Sequence, residues 1–344
     1  MAGTGTRWAD SELPIVAAPM AGGPSTVALA SAVHAAGGFP FLAAGYKSAE
    51  AMADEMRRAR EIGGTFGMNL FVPGTMPVDE RAFRAYAEEL EPEAVRLGVE
   101  LDPRPVVDDD DQWDEKLAVL VADPVAVVSL TFGLPDARDI AALRRVGSRV
   151  LATVTTAEEA RAAAEVGVDG VVVQAPAAGG HSGTFDPYRS VGSVRGSDLV
   201  REVRAAVDLP IVAGGGVAES ADVSELLHAG AEAVVVGTLL LRADESGASQ
   251  THKDALAAPE YTETAITHAF TGRPARGLRN GFMERHGAGA PWGYPAVHHL
   301  TRPMRQAAAK AGDAERLHLW AGTGFRAART GAVGEIVRGL AAGL

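Results

Sequence analysis

With 344 residues, 47% hydrophobic and 22% charged, the chain has the composition of an ordinary folded protein, which excludes wholesale disorder. A formal net charge of −12 speaks against nucleic-acid binding, and the absence of cysteine removes disulfides, thiolate nucleophiles and iron–sulfur sites. No run of about 18 apolar residues occurs, and Met1–Asp10 lacks the order of a signal peptide, so a soluble, cytoplasmic protein with no membrane partner is expected.

In chain order, short apolar runs alternate with longer alanine-rich amphipathic stretches. The expected strands are Leu13–Ala17, Phe39–Ala43, Thr65–Leu70, Val125–Leu130, Arg149–Val154, Gly170–Gln174, Leu209–Ala213 and Ala233–Gly237. Each is continuously apolar, as strands covered on both faces are. Between them the periodicity predicts helices over Ser25–Ala36, Ser48–Ile62, Val78–Leu97, Asp136–Val146, Thr156–Val166, Ser197–Val207 and Ser220–Ala229. Several begin with Ser or Thr and stop before Gly, the usual asymmetry of helix caps. Eight strand–helix alternations point to an α/β fold, a closed (β/α)8 TIM barrel. The first strand runs into Pro19-Met20-Ala21-Gly22-Gly23, which is not the dinucleotide fingerprint of an open doubly wound sheet.

Two spacings are irregular. The long gap between strands three and four leaves room for an extra helix and for the acidic run Asp108–Asp111, read as a solvated turn. After strand eight, the proline-bearing segment 243–319 reads as a helical lid or substrate insertion. Residues 1–242 and 320–344 then make the barrel, closed by a helix over Phe325–Leu340.

Chemistry in such barrels gathers at the C-terminal ends of the strands. There the sequence offers no strand-borne lysine for a Schiff base, no His-x-His metal pair and no facing carboxylates, so no metal is expected. The chain's lysines are Lys47, Lys116, Lys253 and Lys310; Lys47 reads as a solvated helix-start residue. A mouth so poor in acids and bases suggests that a cofactor carries the chemistry. Gly214-Gly215-Gly216 after strand seven and Gly237-Thr238 after strand eight stand where this fold binds phosphate. Among nine histidines only His181 lies on a βα loop, surrounded by Gly179, Gly180 and Gly183. His34 and His228 fall on outer helices. An imidazole over a cofactor site suits proton abstraction near neutral pH.

These residues resemble a known family. Ile15–Thr26, Phe66-Gly67-Met68-Asn69-Leu70-Phe71, Gly179-Gly180-His181, Gly237-Thr238, Glu245–Ser249, Phe270–Asn280 and Leu319-Trp320-Ala321-Gly322 are similar, in order and spacing, to nitronate monooxygenases of class I type. The resemblance implies non-covalent FMN, with Asn69, Gln174, Gly179, Gly180, Gly215, Gly216, Val235, Val236, Gly237 and Thr238 around it, and makes His181 the catalytic base. Met20 is a further candidate for packing on the flavin, against a role in the core. Tyr294, His298 and His299 could line the substrate pocket or simply pack. In the family, flavin oxidises an alkyl nitronate and O2 reoxidises the flavin, giving a carbonyl compound and nitrite; a neutral nitroalkane first loses its α-proton to the histidine.

Three positions depart from the family pattern. Ala175 and Ala177 stand where Gly and Glu are usual in Gln-Gly-x-Glu-Ala-Gly-Gly-His, and Thr323 replaces the glutamine of Trp-Ala-Gly-Gln. Loss of a carboxylate near His181 would alter its pKa and the preferred substrate. Besides the monooxygenase, an NAD(P)H-dependent enoyl reductase of a related FMN barrel and a non-catalytic flavin-binding protein are the alternatives. Either a monomer or a homodimer is compatible with the sequence.

Overall fold

The computed structural model of the chain describes residues 9, 11–74 and 76–344. The reading of Met1–Asp10 lies outside the described residues, Ala9 excepted. Nine strands come first in chain order: β1 (Ile15–Ala17), β2 (Phe39–Ala43), β3 (Gly67–Phe71), β4 (Val127–Thr131), β5 (Arg149–Val154), β6 (Gly170–Gln174), β7 (Gly180–His181), β8 (Ile211–Gly214) and β9 (Ala233–Val236). All but β7 form a closed parallel barrel in the order β1-β2-β3-β4-β5-β6-β8-β9, with Val16 of β1 opposite Val235 of β9 at closure. The fold is therefore the expected (β/α)8 barrel.

Alternation along each strand explains why the runs read as continuously apolar. One set of side chains, among them Val16, Phe39, Phe41, Val127, Leu151 and Val212, forms one core cluster and fills the barrel. The alternate set, including Ile15, Leu42, Met68, Val128, Val150 and Ile211, packs against the surrounding helices. Both faces are dry, so neither carries the polar residues that would mark an exposed side.

The surrounding helices are α1 (Val27–Ala35), α2 (Ala49–Ile62), α3 (Glu80–Leu97), α4 (Trp113–Ala122), α5 (Ala137–Arg145), α6 (Ala157–Glu165), α7 (Gly196–Ala206) and α8 (Ser220–His228). Helix α4 fills the long gap before β4. Hydroxyl caps start several of them: Thr26 Oγ1 accepts from the Leu29 amide at 2.9 Å and Thr156 Oγ1 from the Glu159 amide at 3.2 Å. No helix among the described residues is long and apolar enough to cross a membrane.

The segment after β9 holds the helices α9 (Gln250–Ala255), α10 (Gly281–His286) and α11 (Ala296–Ala311). It also holds a hairpin that the sequence reading does not anticipate. Strands β10 (Thr264–Thr267) and β11 (Ala275–Leu278) pair antiparallel, and β11 pairs in turn with β7, with Ala275 opposite His181. The insertion thus adds a small sheet that ties the β6 loop to the barrel mouth. The closing helix α12 (Val333–Leu340) begins later than expected. A short turn at Phe325–Ala327 is followed by extended Ala328 and by Gly331 at φ +118°, and only then does the chain turn helical.

The acidic run is more than a solvated turn. Asp108–Asp110 are exposed, but Asp111 accepts from the Tyr46 amide at 2.9 Å and pairs with the buried Lys116 ammonium at 2.6 Å. Lys116 also donates to the Ala44 carbonyl at 3.1 Å, so this pair pins the end of β2. Lys47 is half-buried and bound to Glu55 at 2.6 Å, not free in solvent.

Candidate active site

The strand ends open into a cavity of about 660 Å³, a size suited to a cofactor or other small molecule. Its walls include Met20, Asn69, Gln174, Gly179, Gly180, His181, Gly215, Gly216, Val235, Val236, Gly237, Thr238 and His298, so the sequence-predicted residues converge here except Tyr294. Tyr294 lines an adjoining cavity of about 100 Å³ that shares Tyr46, Phe71, Phe132 and His298 with the larger one. His299 instead pairs with Asp109 at 2.7 Å on the outer side.

Glycine is required where the backbone comes close. A Cβ on Gly179 would fall 2.5 Å from the Gly322 nitrogen, so the β6 loop can press against Ala321–Gly322 only without a side chain. Gly215 and Gly216 have φ of +121° and +81°, the region that side-chain-bearing residues avoid. The amides of Gly215, Gly216 and Gly237 find no acceptor among the described residues and lie in the cavity wall. Three open amides beside glycine backbone form a cradle for an anion such as a phosphate. Asn69 is buried; its Nδ2 donates to Ser129 Oγ at 2.9 Å and Thr131 Oγ1 at 3.0 Å, which leaves its Oδ1 to accept from a ligand. On these observations the residues present fit a flavin.

Gln174, in the cavity wall, also braces the loop that carries His181. Its Nε2 donates to the His181 carbonyl at 2.9 Å and its Oε1 accepts from the Gly183 amide at 2.7 Å. Each polar end gives one bond to the loop that carries His181, and a second N–H and a second lone pair stay open. The pairing of β7 with β11 and the Ser182 amide's bond to the Pro274 carbonyl at 2.8 Å hold the same loop from the other side.

His181 sits within an aromatic box. Its ring centroid is 5.7 Å from Phe132, 5.9 Å from Tyr294 and 5.6 Å from Trp320. Nε2 meets Thr271 Oγ1 at 2.9 Å. Desolvation, reinforced by the positive charges of Arg273 and Arg305, pushes its pKa down to about 3, so the imidazole is neutral at physiological pH. No carboxylate stands beside it to raise that value.

Sequence reasoning missed the two cations. Arg305 is buried; its Nε donates to Thr301 Oγ1 at 3.0 Å and one Nη to His298 Nδ1 at 3.1 Å. Arg273 is buried, bonds to the Ser182 and Thr184 carbonyls, and lies 4.1 Å from the Phe132 ring centroid. Neither pairs with a carboxylate among the described residues. Burial lowers both guanidinium pKa values to about 10, which leaves them charged at neutral pH. His298 stacks on Tyr46 at 4.2 Å, and its Nε2 is buried without a partner. Burial also pushes the Tyr46 hydroxyl up to about 12, so it stays protonated. Tyr46, three residues past β2, and Phe132, directly after β4, hold left-handed backbone at φ +67° and +83°, where strain often accompanies function.

The positions that depart from the family pattern face each other. The Thr323 amide donates to the Ala177 carbonyl at 3.0 Å. A Cβ built on Gly216 would meet Ala177 Cβ at 2.9 Å and Thr323 Oγ1 at 3.3 Å. Two larger polar side chains are thus absent together from one spot beside the glycine cradle.

The strands and their cavity define a (β/α)8 barrel with a cofactor-sized site at its mouth. Comparison with known proteins is specific. A sequence model described as nitronate monooxygenase matches residues 8–343. A probable nitronate monooxygenase of Staphylococcus aureus (strain Newman) is 32% identical over 329 residues, covering 94% of this chain and 92% of that protein. The crystal structure of a nitroalkane oxidase from Streptomyces ansochromogenes is 49% identical, covers 97% of this chain and 96% of its own, and superposes with a TM-score of 0.92. FabK from Thermotoga maritima, 24% identical over 96% of this chain and 92% of its own, has a TM-score of 0.72 and shares the fold. The chain belongs to the nitronate monooxygenase family, whose members oxidise nitronates and nitroalkanes.

Proposed function

We propose that the protein is an FMN-dependent monooxygenase of alkyl nitronates that uses O2, with His181 as the base that admits neutral nitroalkanes. The observation that carries this reading is a neutral imidazole in the wall of a flavin-sized cavity, flanked by two buried guanidinium groups that lack carboxylates. The glycine cradle at Gly215, Gly216 and Gly237 would hold the phosphate, and Asn69 Oδ1 would accept a hydrogen bond from the ring system. A bound flavin would supply the one-electron oxidation of the nitronate, with O2 as the terminal oxidant and a carbonyl compound and nitrite as products.

The chain's own residues do the rest. Arg305 and the open Nε2 of His298 form a donor-only surface that favours a negatively charged substrate. The same positive field that disfavours a charged His181 stabilises the negative charge developing on the nitro group. When His181 takes the α-proton, the C–H electron pair moves into the nitro group, and the new imidazolium and nitronate then neutralise one another. Phe71, Phe132 and Trp320 keep water from the reacting carbon.

The purified protein is expected to be yellow and to release FMN, not FAD, on denaturation, as read by chromatography. Anaerobic mixing with NADH should leave the flavin oxidised. A colourless protein that FMN does not reconstitute, or rapid bleaching by NADH, would contradict this assignment.

A further inference from the structure

The hydrogen bonds around His181 fix which of its nitrogens can act. Thr271 is buried at 1% exposure, and its hydroxyl touches two groups: His181 Nε2 at 2.9 Å and the Arg273 carbonyl at 3.2 Å. A hydroxyl has one hydrogen to give and lone pairs to accept with. The Arg273 carbonyl can only accept, and no other donor reaches it among the described residues. A buried carbonyl left unpaired is costly, so the Thr271 hydrogen goes there. The oxygen's lone pair is then what faces His181, and Nε2 must carry the hydrogen of that bond. A neutral imidazole has one N–H. Nδ1 is therefore the bare nitrogen, and the described residues make no hydrogen bond to it.

We infer that Thr271 is a positioning residue that sets the tautomer of His181, making Nδ1 the atom that receives the substrate's α-proton. The chain of bonds runs from the Arg273 carbonyl through the Thr271 hydroxyl to Nε2, and the turn His268–Arg273 fixes it: the Thr271 and Gly272 amides both donate to the His268 carbonyl, at 3.2 and 2.7 Å. In the transfer, the substrate C–H bond breaks, its electron pair passes to the nitro group, and the proton forms a bond to Nδ1. The resulting imidazolium keeps its Nε2–H on Thr271, so the hydroxyl does not reorient during the step. The opposite tautomer would direct an N–H at the substrate carbon and could accept no proton there.

This inference rests on the reading of His181 as base, but its primary test does not depend on turnover. Long-range 1H–15N correlation of ring-15N-labelled, FMN-loaded protein at pH 7 reports each histidine's tautomer, and His181→Gln identifies the His181 signals by their loss. We expect a protonated Nε2 and an unprotonated Nδ1; the reverse pattern, or a doubly protonated ring, overturns the proposal. Thr271→Val should mix or invert the tautomers, and Thr271→Ser should keep the native pattern. In parallel, Thr271→Val should lower kcat for a neutral nitroalkane by about tenfold or more, part of the roughly 10²–10⁴-fold that a positioned base contributes. Turnover of a preformed nitronate should be unchanged and Thr271→Ser should restore the loss. Equal loss on both substrates would contradict a role through the tautomer. A native Nε2–H pattern in a protein that oxidises no nitronate would instead overturn the proposed function and leave the tautomer assignment standing.

Discussion

Among the described residues, two clusters of histidine and arginine, one at the edge of the insertion and one at the barrel mouth, are built in opposite ways. Between α3 and α10, His286 meets Glu89 at 2.6 Å and Glu93 at 3.0 Å, while Arg285 and Arg316 each reach Glu93 at 2.6 Å. Every cation there has a carboxylate, and the mutual attraction holds Glu93 down at about 2 against the burial that opposes it. At the barrel mouth, buried His298, Arg273 and Arg305 stand around a half-buried His181, with no carboxylate paired to them among the described residues. A cluster that satisfies itself joins the insertion to the barrel. A cluster left short of negative charge is poised to receive it from a ligand.

Two substitutions would break or sharpen that contrast. The larger expected effect is on the self-satisfied cluster: Glu93→Gln leaves three cationic or donor groups facing a neutral amide. It should cost about 3 kcal/mol of stability, read by denaturant unfolding, while KM for a nitronate stays the same. Unchanged stability would mean that the clasp between α3 and α10 is not what holds the insertion. Arg305→Leu should do the reverse. It is expected to raise KM for a nitronate about tenfold to a hundredfold, the ~1.5–3 kcal/mol of a charge-assisted hydrogen bond. Its stability cost should be confined to the His298 Nδ1 and carbonyl left without their buried donor, about 1–3 kcal/mol. A KM that does not move would take Arg305 out of anion binding.

How much of this is legible in the sequence follows from what each feature depends on. The eight barrel strands are legible because burial on both faces makes Val150–Ala152 or Ala233–Val236 apolar without interruption. The glycine cradle and His181 are legible because this fold places its ligands after strand ends. Strand β7 is not, since two residues carry no periodicity and their pairing with Ala275 spans some ninety positions of chain. For the same reason Arg273 and Arg305 escape notice: only the fold of the insertion brings them to His181. Gln174 illustrates a subtler limit. Its place in the cavity wall is readable, but its hydrogen bonds to His181 and Gly183 are a matter of geometry alone. Asp111 likewise reads as part of an acidic surface run, because the buried partner that claims it, Lys116, is recognisable only once α4 is folded against β2.

The central claim is that a neutral His181 moves a proton and does nothing else that turnover requires. It is tested most directly by oxygen uptake and nitrite release from FMN-loaded protein and from His181→Asn, each given a neutral nitroalkane and the matching preformed nitronate. The account predicts that the substitution cuts the nitroalkane rate by about a hundredfold or more and leaves the nitronate rate near that of the unaltered protein. An equal loss on both substrates would contradict it and place His181 in binding or electrostatics instead of proton transfer.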